Sequence, residues 1–246
     1  MGIVGSLVLM FFLIAIVYSS VGFGGGSSYI AILLLMNVGY GEVRFIALVC
    51  NILVVTLATY NFYKAGMYNL KEVLPLVVFS VPLAFLGGMI DVDENLYKTI
   101  AAILLLLAAI SMIVSKKGAM DKNILKTSTL TMSIVGGGIG FLSGFIGIGG
   151  GVFLAPFLYL IGWDNVKKIS AFASLFIFVN SISGLIGQLA NNPIINYTYL
   201  VVLGGSVIIG GIIGNRLNLH LLPAKRIKLI TAILIGFVGL RILFFD

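Results

Sequence analysis

Charged residues are scarce in this chain. Its 246 residues include 15 Lys and Arg and 8 Asp and Glu, so only 9% are charged, whereas 60% are hydrophobic. A soluble domain of ordinary composition carries about 25% charged residues. Uncharged runs such as Thr127–Trp163 and Ile169–Asn215 are longer than the roughly 20 residues that a helix needs to cross a bilayer. The deficit of charge therefore argues against a soluble domain and predicts a membrane protein.

Cysteine and histidine are almost absent, with one residue of each, Cys50 and His220. A single cysteine excludes an internal disulfide and a cysteine-based metal site. His220 lies in a predicted loop, and a metal site needs several convergent ligands. The chain also lacks the G-x-x-x-x-G-K-[ST] loop of ATP-binding proteins and any Ser–His–Asp set. We therefore expect no enzyme, no metal and no cofactor.

The hydrophobic runs predict helices rather than a β-barrel. Barrel strands alternate polar and apolar residues, and runs such as AAILLLLAAI, residues 101–110, do not. We predict an all-α polytopic membrane protein with ten hydrophobic segments, five in each half. The segments are 3–21, 27–36, 44–62, 72–90 and 96–114, followed by 129–146, 152–162, 168–189, 197–215 and 226–244.

The sequence contains an internal repeat. VGFGGG, Val21–Gly26, returns 125 residues later as IGIGGG, Ile146–Gly151, with four identities in six. Further along, Gly87 corresponds to Gly214, and Asn69 to Asn196. The repeat predicts two transmembrane repeats, residues 1–114 and 128–246, joined by a polar linker at 115–127.

The basic residues predict the orientation of the segments, because Lys and Arg collect in cytoplasmic loops. Suppose that the two segments that flank each glycine cluster either both cross the membrane or together form a re-entrant hairpin. Then only Arg44, Lys98 and Arg241 lie on one face of the membrane, and the other 12 of the 15 basic residues lie on the opposite face. This predicts a multi-pass protein of a prokaryotic plasma membrane, with the linker cytoplasmic and both termini outside. An odd number of crossings in each half then gives two inverted repeats. The net charge of +7 follows from topology, so we expect no nucleic acid partner.

Each glycine cluster precedes a hydrophobic segment that is too short to cross the membrane. Ten residues of helix rise only about 15 Å, so each cluster is expected to end one helix and to begin another within the bilayer. Irregular backbone is tolerated at that depth only where protein buries it or water reaches it. A helix start presents unpaired N–H groups and a positive dipole end, which suit an anion.

We predict that both clusters, with nearby hydroxyl and amide groups, bind a small anionic substrate. The predicted residues are Gly24, Gly25, Gly26, Ser27, Ser28, Gly149, Gly150, Gly151, Ser19, Ser20, Ser143, Asn51 and Asn180. Close helix packing is the competing explanation for glycines, and interhelical hydrogen bonds are the competing explanation for the two asparagines. Apart from Glu72 at the start of the segment 72–90, the predicted segments contain no Asp, Glu or His, which disfavours a proton relay or a cation site.

Three stretches, GFGGGSS (22–28), FLSGFIGIGGGVFLAPFL (141–158) and SAFASLFIFVNSISG (170–184), resemble the sulfite exporter TauE/SafE family of membrane permeases. The first copy departs from the second, since Ser27 and Ser28 replace Val152 and Phe153. The resemblance implies a polytopic carrier for sulfur-containing anions such as sulfite or sulfonates, and we expect transport by alternating access. The alternatives are an anion channel and an intramembrane accessory protein of sulfur metabolism. Cys50, as a reactive thiol, is the one feature that favours the accessory protein.

Overall fold

The computed structural model describes residues 2–114, 128–161, 163, 166–191, 193, 195–217 and 224–245, so the predicted linker and His220 lie outside the described residues. All regular elements in these ranges are α-helices. The first half contains α1 (Gly2–Ser19), α2 (Gly26–Leu35), α3 (Tyr40–Lys64), α4 (Leu70–Met89) and α5 (Glu94–Val114). The second contains α6 (Thr129–Ile146), α7 (Gly151–Leu160), α8 (Val166–Leu189), α9 (Tyr197–Leu217) and α10 (Ala224–Phe245). Each predicted segment is a helix.

Both glycine clusters interrupt the helices. The first loop, residues 20–25, separates α1 from α2, and the second loop, residues 147–150, separates α6 from α7. The helices α2 and α7 have 10 residues each. Within the described residues, six helices (α3, α4, α5, α6, α8 and α9) are long and apolar enough to cross a membrane. The predicted fold class, a polytopic all-α protein with glycine-rich helix breaks, is confirmed.

The helices α3 and α8 form the centre of the protein. In their most apolar stretches 61% and 67% of the residues are buried, against 33% in α4 and α5 and 39% in α9. The outer helices expose large apolar side chains such as Phe79, Leu107 and Val201. Exposed apolar faces on the outer helices are what contact with lipid requires, whereas a soluble monomer rarely exposes large apolar patches.

The helix contacts form pairs that are related by exchange of the two halves. The helix α4 packs along α6 as α9 packs along α1, α4 contacts α8 as α9 contacts α3, and α3 with α8 and α5 with α10 pair directly. Residues matched in sequence make matched contacts. Gly87 lies against the carbonyl of Phe141, and Gly214 lies against that of Ile16, 125 positions earlier.

Matched asparagines also precede the fourth helix of each half. The side-chain oxygen of Asn69 accepts from the Lys71 N–H at 3.1 Å, at the start of α4. The side-chain oxygen of Asn196 accepts from the Tyr199 N–H at 3.2 Å, at the start of α9. Each asparagine thus caps a helix and pairs one of the N–H groups that the first turn leaves without an acceptor.

Glycines set the close approach of α4 and α6. Gly136, Gly140 and Gly144 recur every fourth residue, so they lie on one face of α6. A methyl group on Gly144 would overlap the carbonyl oxygen of Ala84, and one on Gly140 would overlap that of Ser80. The backbones therefore touch, as in other small-residue contacts between membrane helices.

We predict that Gly144→Ala lowers the melting temperature of the purified protein by several degrees, because overpacking a close contact costs about 1–3 kcal/mol. The matched control is Gly138→Ala on the same helix, where an added Cβ would meet nothing within 4 Å. That control should melt unchanged or higher, since Ala favours a helix by up to about 1 kcal/mol over Gly. Thermal unfolding in detergent measures both, and equal shifts would contradict the role of Gly144.

Candidate functional site

The two loops and the helices that follow them meet at the centre of the protein. Gly26, the first residue of α2, lies against the carbonyl oxygen of Ile148 in the second loop, and a methyl group there would overlap it. In return, Cδ1 of Phe23 in the first loop lies 3.8 Å from the position that a Cβ on Gly151 would take. The glycines and serines predicted from the two clusters are all buried. The structure thus brings together the two segments that the repeat pointed to.

Asn51 of α3 joins the two loops. Its side-chain N–H donates to the carbonyl of Ile148 at 2.9 Å, and the residue is fully buried. The same amide lies against Gly24 and Gly26, and its nitrogen lies 2.7 Å from the position that a Cβ on Gly149 would take. A buried amide is costly unless it is bonded. Asn51 therefore depends on both loops, and both loops leave room for it through their glycines.

Four buried polar atoms beside the loops have no hydrogen-bond partner among the described residues. Such atoms are uncommon, because the great majority of buried polar groups are paired. Each lies beside one loop glycine: Asn51 Oδ1 beside Gly24, the Tyr29 hydroxyl beside Gly25, Ser181 Oγ beside Gly149, and Ser143 beside Gly150. Their concentration at one place indicates a site for a polar ligand or for water.

Two helix starts add donors to this site. In α2 the first backbone hydrogen bonds of the helix are donated by the Ser28 and Tyr29 N–H groups to the Gly25 carbonyl, at 2.9 and 3.0 Å. In α7 the Phe153 and Leu154 N–H groups bond to the Gly150 carbonyl in the same way. The N–H groups of the two residues before them therefore have no acceptor within their own helix. Each helix start also carries a partial charge of about +0.5, and the side chains that contact the glycines at 24–26 and 149–151 are neutral.

The predicted serines differ in where their hydroxyls bond. Ser19 donates to the Ile16 carbonyl at 3.4 Å and lies against Gly214 of α9, so helix packing accounts for it. Ser20 donates to the Val17 carbonyl at 2.6 Å. Ser28 shares a hydrogen bond of 2.8 Å with the Tyr18 hydroxyl. These three hydroxyls therefore have partners within the protein, whereas the Ser143 hydroxyl has none among the described residues.

The second half presents Ile177, not Asn180, at the position that matches Asn51. Asn51 contacts Gly24 and Gly26, and Ile177 contacts Gly149 and Gly151, the matching residues of the second cluster. Asn180 donates to the carbonyl of Phe176 in its own helix at 2.8 Å, and its Oδ1 is unpaired among the described residues. The two asparagines therefore do not occupy equivalent positions.

Sequence reasoning missed Ser181 and the burial of Arg44. Ser181 lies 126 residues after Val55, which contacts the first loop, so the repeat itself could have identified it.

Arg44 was expected on the outer face at the edge of the third segment. The helix α3 begins four residues earlier, and Arg44 is only 4% exposed. Its backbone carbonyl lies 3.0 Å from the position of a Cβ on Gly147, so it packs on the second loop. Cys50, one residue before Asn51, is also fully buried.

We predict that Asn51→Leu destabilises the protein by about 1–3 kcal/mol, because it leaves the buried Ile148 carbonyl unpaired. The control is Asn61→Leu, the same change at an exposed residue of the same helix. A surface change of this kind stays within about 0.5 kcal/mol. The melting temperature of each variant in detergent provides the measurement. An Asn51 variant as stable as the control would show that the amide does not hold the loops together.

Comparison with known proteins places the whole chain among membrane transporters. Residues 7–242 match the family described as Sulfite exporter TauE/SafE. A probable membrane transporter protein of Sinorhizobium fredii is 32% identical over 243 residues, which cover 96% of this chain and 97% of that protein. One of Methanocaldococcus jannaschii is 28% identical over 256 residues, with 96% and 94% covered. No solved structure matches significantly. The matching family is one of transporters rather than of enzymes.

Proposed function

The chain belongs to the sulfite exporter TauE/SafE family, and from that premise we propose that it is a secondary transporter of small anions. Its substrates in this proposal are sulfur-containing oxyanions, sulfite or organosulfonates, bound between the two loops. The family description and the names of the relatives support the class of function. The chemistry of the loops supports an anionic substrate.

The unpaired donors around Asn51 carry this proposal. An oxyanion such as sulfite offers only acceptor oxygens, so its site must offer N–H and O–H groups. The helix starts at Gly26 and Gly151 offer backbone N–H groups, and Ser143 and Ser181 offer hydroxyls without a partner in the described chain. Anions bind at helix starts in many proteins for the same reasons. A cation would instead need several buried acceptors and a compensating carboxylate.

The burial of both loops supports alternating access. A substrate reaches a buried site only if the surrounding helices move. On the side of Arg44, Leu48 of α3 lies 3.6 Å from the position of a Cβ on Gly184 of α8, so α3 and α8 pack against each other there. The exchange-related helix pairs support inverted repeats, in which one set of helices rocks against the other about a central site.

The proposed orientation places the protein in the plasma membrane of a prokaryote, with the 115–127 linker inside and both termini outside. Two contacts support the predicted separation of basic residues. Lys168 pairs with Glu72 at 2.8 Å near the start of α4. Arg44 donates to the Ile90 carbonyl at 3.1 Å, at the other end of that helix. The two cations therefore lie at opposite ends of one membrane-spanning helix.

We predict that the double change Ser143→Ala and Ser181→Ala lowers the initial rate of sulfite efflux from proteoliposomes by about tenfold or more, because each hydrogen bond to a charged group contributes roughly 1.5–3 kcal/mol. Stability should be unchanged, since neither hydroxyl has a partner among the described residues. The matched control is Ser206→Ala, a buried serine whose hydroxyl already donates to the Leu203 carbonyl at 2.7 Å.

Rates are measured over a range of sulfite concentrations, so that saturation distinguishes a carrier from a channel. Saturable efflux that falls in the double variant and persists in the control supports the proposal. Efflux that is absent from the unmodified protein, or unaffected by the double change, contradicts it.

A further inference from the structure

Arg44 is a buried cation that the central site does not use. Its guanidinium donates to the carbonyls of Gly88 at 3.2 Å and Ile90 at 3.1 Å, at the end of α4. The guanidinium carbon lies 5.9 Å from the ring centre of Tyr97 and 5.8 Å from that of Phe145. Arg44 Nε has no acceptor in the part of the chain that the structure describes. The side chain is therefore held in place with donor capacity left over.

A cleft of about 430 Å³ opens beside this guanidinium. Gln188 of α8 also lines it, is 4% exposed, and has a side-chain nitrogen without a partner among the described residues. Arg44 and Gln188 are thus both more than nine-tenths buried, both line one cavity, and each has a side-chain nitrogen without a partner among the described residues. N–H groups that lack an acceptor in the protein can donate to the oxygens of an anion.

Three carboxylates line the same cleft nearer to solvent. Asp91 accepts from the Tyr40 hydroxyl, and Glu94 pairs with Lys98 at 3.0 Å. Glu42 is the third and is half-buried in the first turn of α3. The cleft therefore has cationic and amide donors at its base and negative charge at its mouth. Glu42 should repel an anion that approaches the base, which gives it an effect opposite to that of Arg44.

The base of the cleft lies in line with the central site. Arg44 and Asn51 are seven residues apart on α3, so they lie on one face, about 10.5 Å apart along the helix. Gln188 and Ser181 are likewise seven residues apart on α8. Leu48 lies between Arg44 and Asn51 on α3, and Gly184 lies between Ser181 and Gln188 on α8. These two residues contact each other. The contact of Leu48 with Gly184 therefore lies between the cleft and the polar groups of Asn51 and Ser181, whereas the Arg44 backbone touches Gly147 of the second loop.

We propose that this cleft is a second binding site for a small oxyanion, in which Arg44 and Gln188 hold the anion next to the layer formed by Leu48 and Gly184. The inference rests on the proposed function, because it takes the same anion as its ligand. In this arrangement the anion binds in the cleft on one side of the layer and between the loops on the other. The guanidinium is already fixed by the α4 carbonyls, so little ordering is needed when the anion binds.

The test is equilibrium binding of radiolabelled sulfite to the purified full chain in detergent at constant ionic strength. The unmodified protein should bind two sulfite ions. Arg44→Gln should remove one of them or weaken it by about tenfold or more, and Arg44→Lys should weaken it less because the charge remains. Glu42→Gln, a change at a half-buried side chain, should tighten the same site by about twofold to fivefold, because it removes a nearby like charge.

The matched control is Arg241→Gln. Arg241 also donates to a carbonyl at the end of a helix, that of Leu35 at 3.4 Å, but it does not line the cleft. Both binding events should persist in this variant. Binding of a single sulfite that Arg44→Gln and Glu42→Gln leave unchanged overturns the second site and leaves the proposed function standing. Absence of sulfite binding to the unmodified protein overturns both.

Discussion

The hydrogen bond from the Asn51 amide to the Ile148 carbonyl joins the two halves of the chain where their helices are interrupted. Backbone groups in the interior of a bilayer have no water to bind, so an interrupted helix survives there only when protein encloses the break. The first loop packs on Asn51 and Val55 of α3, and the second loop packs on Arg44 and Asn51 of α3 and on Ile177 of α8. The helix α3 of the first half therefore supports both breaks.

Glycine has two separate uses in this fold. Gly25 and Gly149, with φ of 91° and 83°, adopt backbone conformations that other residues rarely take, and they shape the loops. Gly140 on α6 and Gly210 on α9 instead allow helices from different halves to touch. The tightest helix pairs, α4 with α6 and α1 with α9, each combine one helix from each repeat. The predicted repeats therefore do not pack as two separate units, because helices of one half pack on helices of the other.

The helices could be predicted because the bilayer imposes a length and an apolar composition on each of them. The helix breaks could be predicted because the glycine clusters and the short segments recur together. The buried environment of Arg44 could not be predicted, because a hydropathy pattern treats a charged residue as the end of a segment. The contacts of Ser19 and Asn180 depend on how α1 and α8 are rotated. These helices are apolar on most faces, so their sequences contain little information about rotation.

Asn51 and Ile177 occupy matching positions and differ in chemistry. In a carrier whose conformations exchange the roles of two identical halves, the inward-open and outward-open forms would have equal free energy. An amide in one half and an alkyl side chain in the other remove that degeneracy, because the amide supports a different set of contacts in each form. In the proposed carrier, this one difference between the halves is then sufficient to decide toward which side of the membrane the empty protein rests.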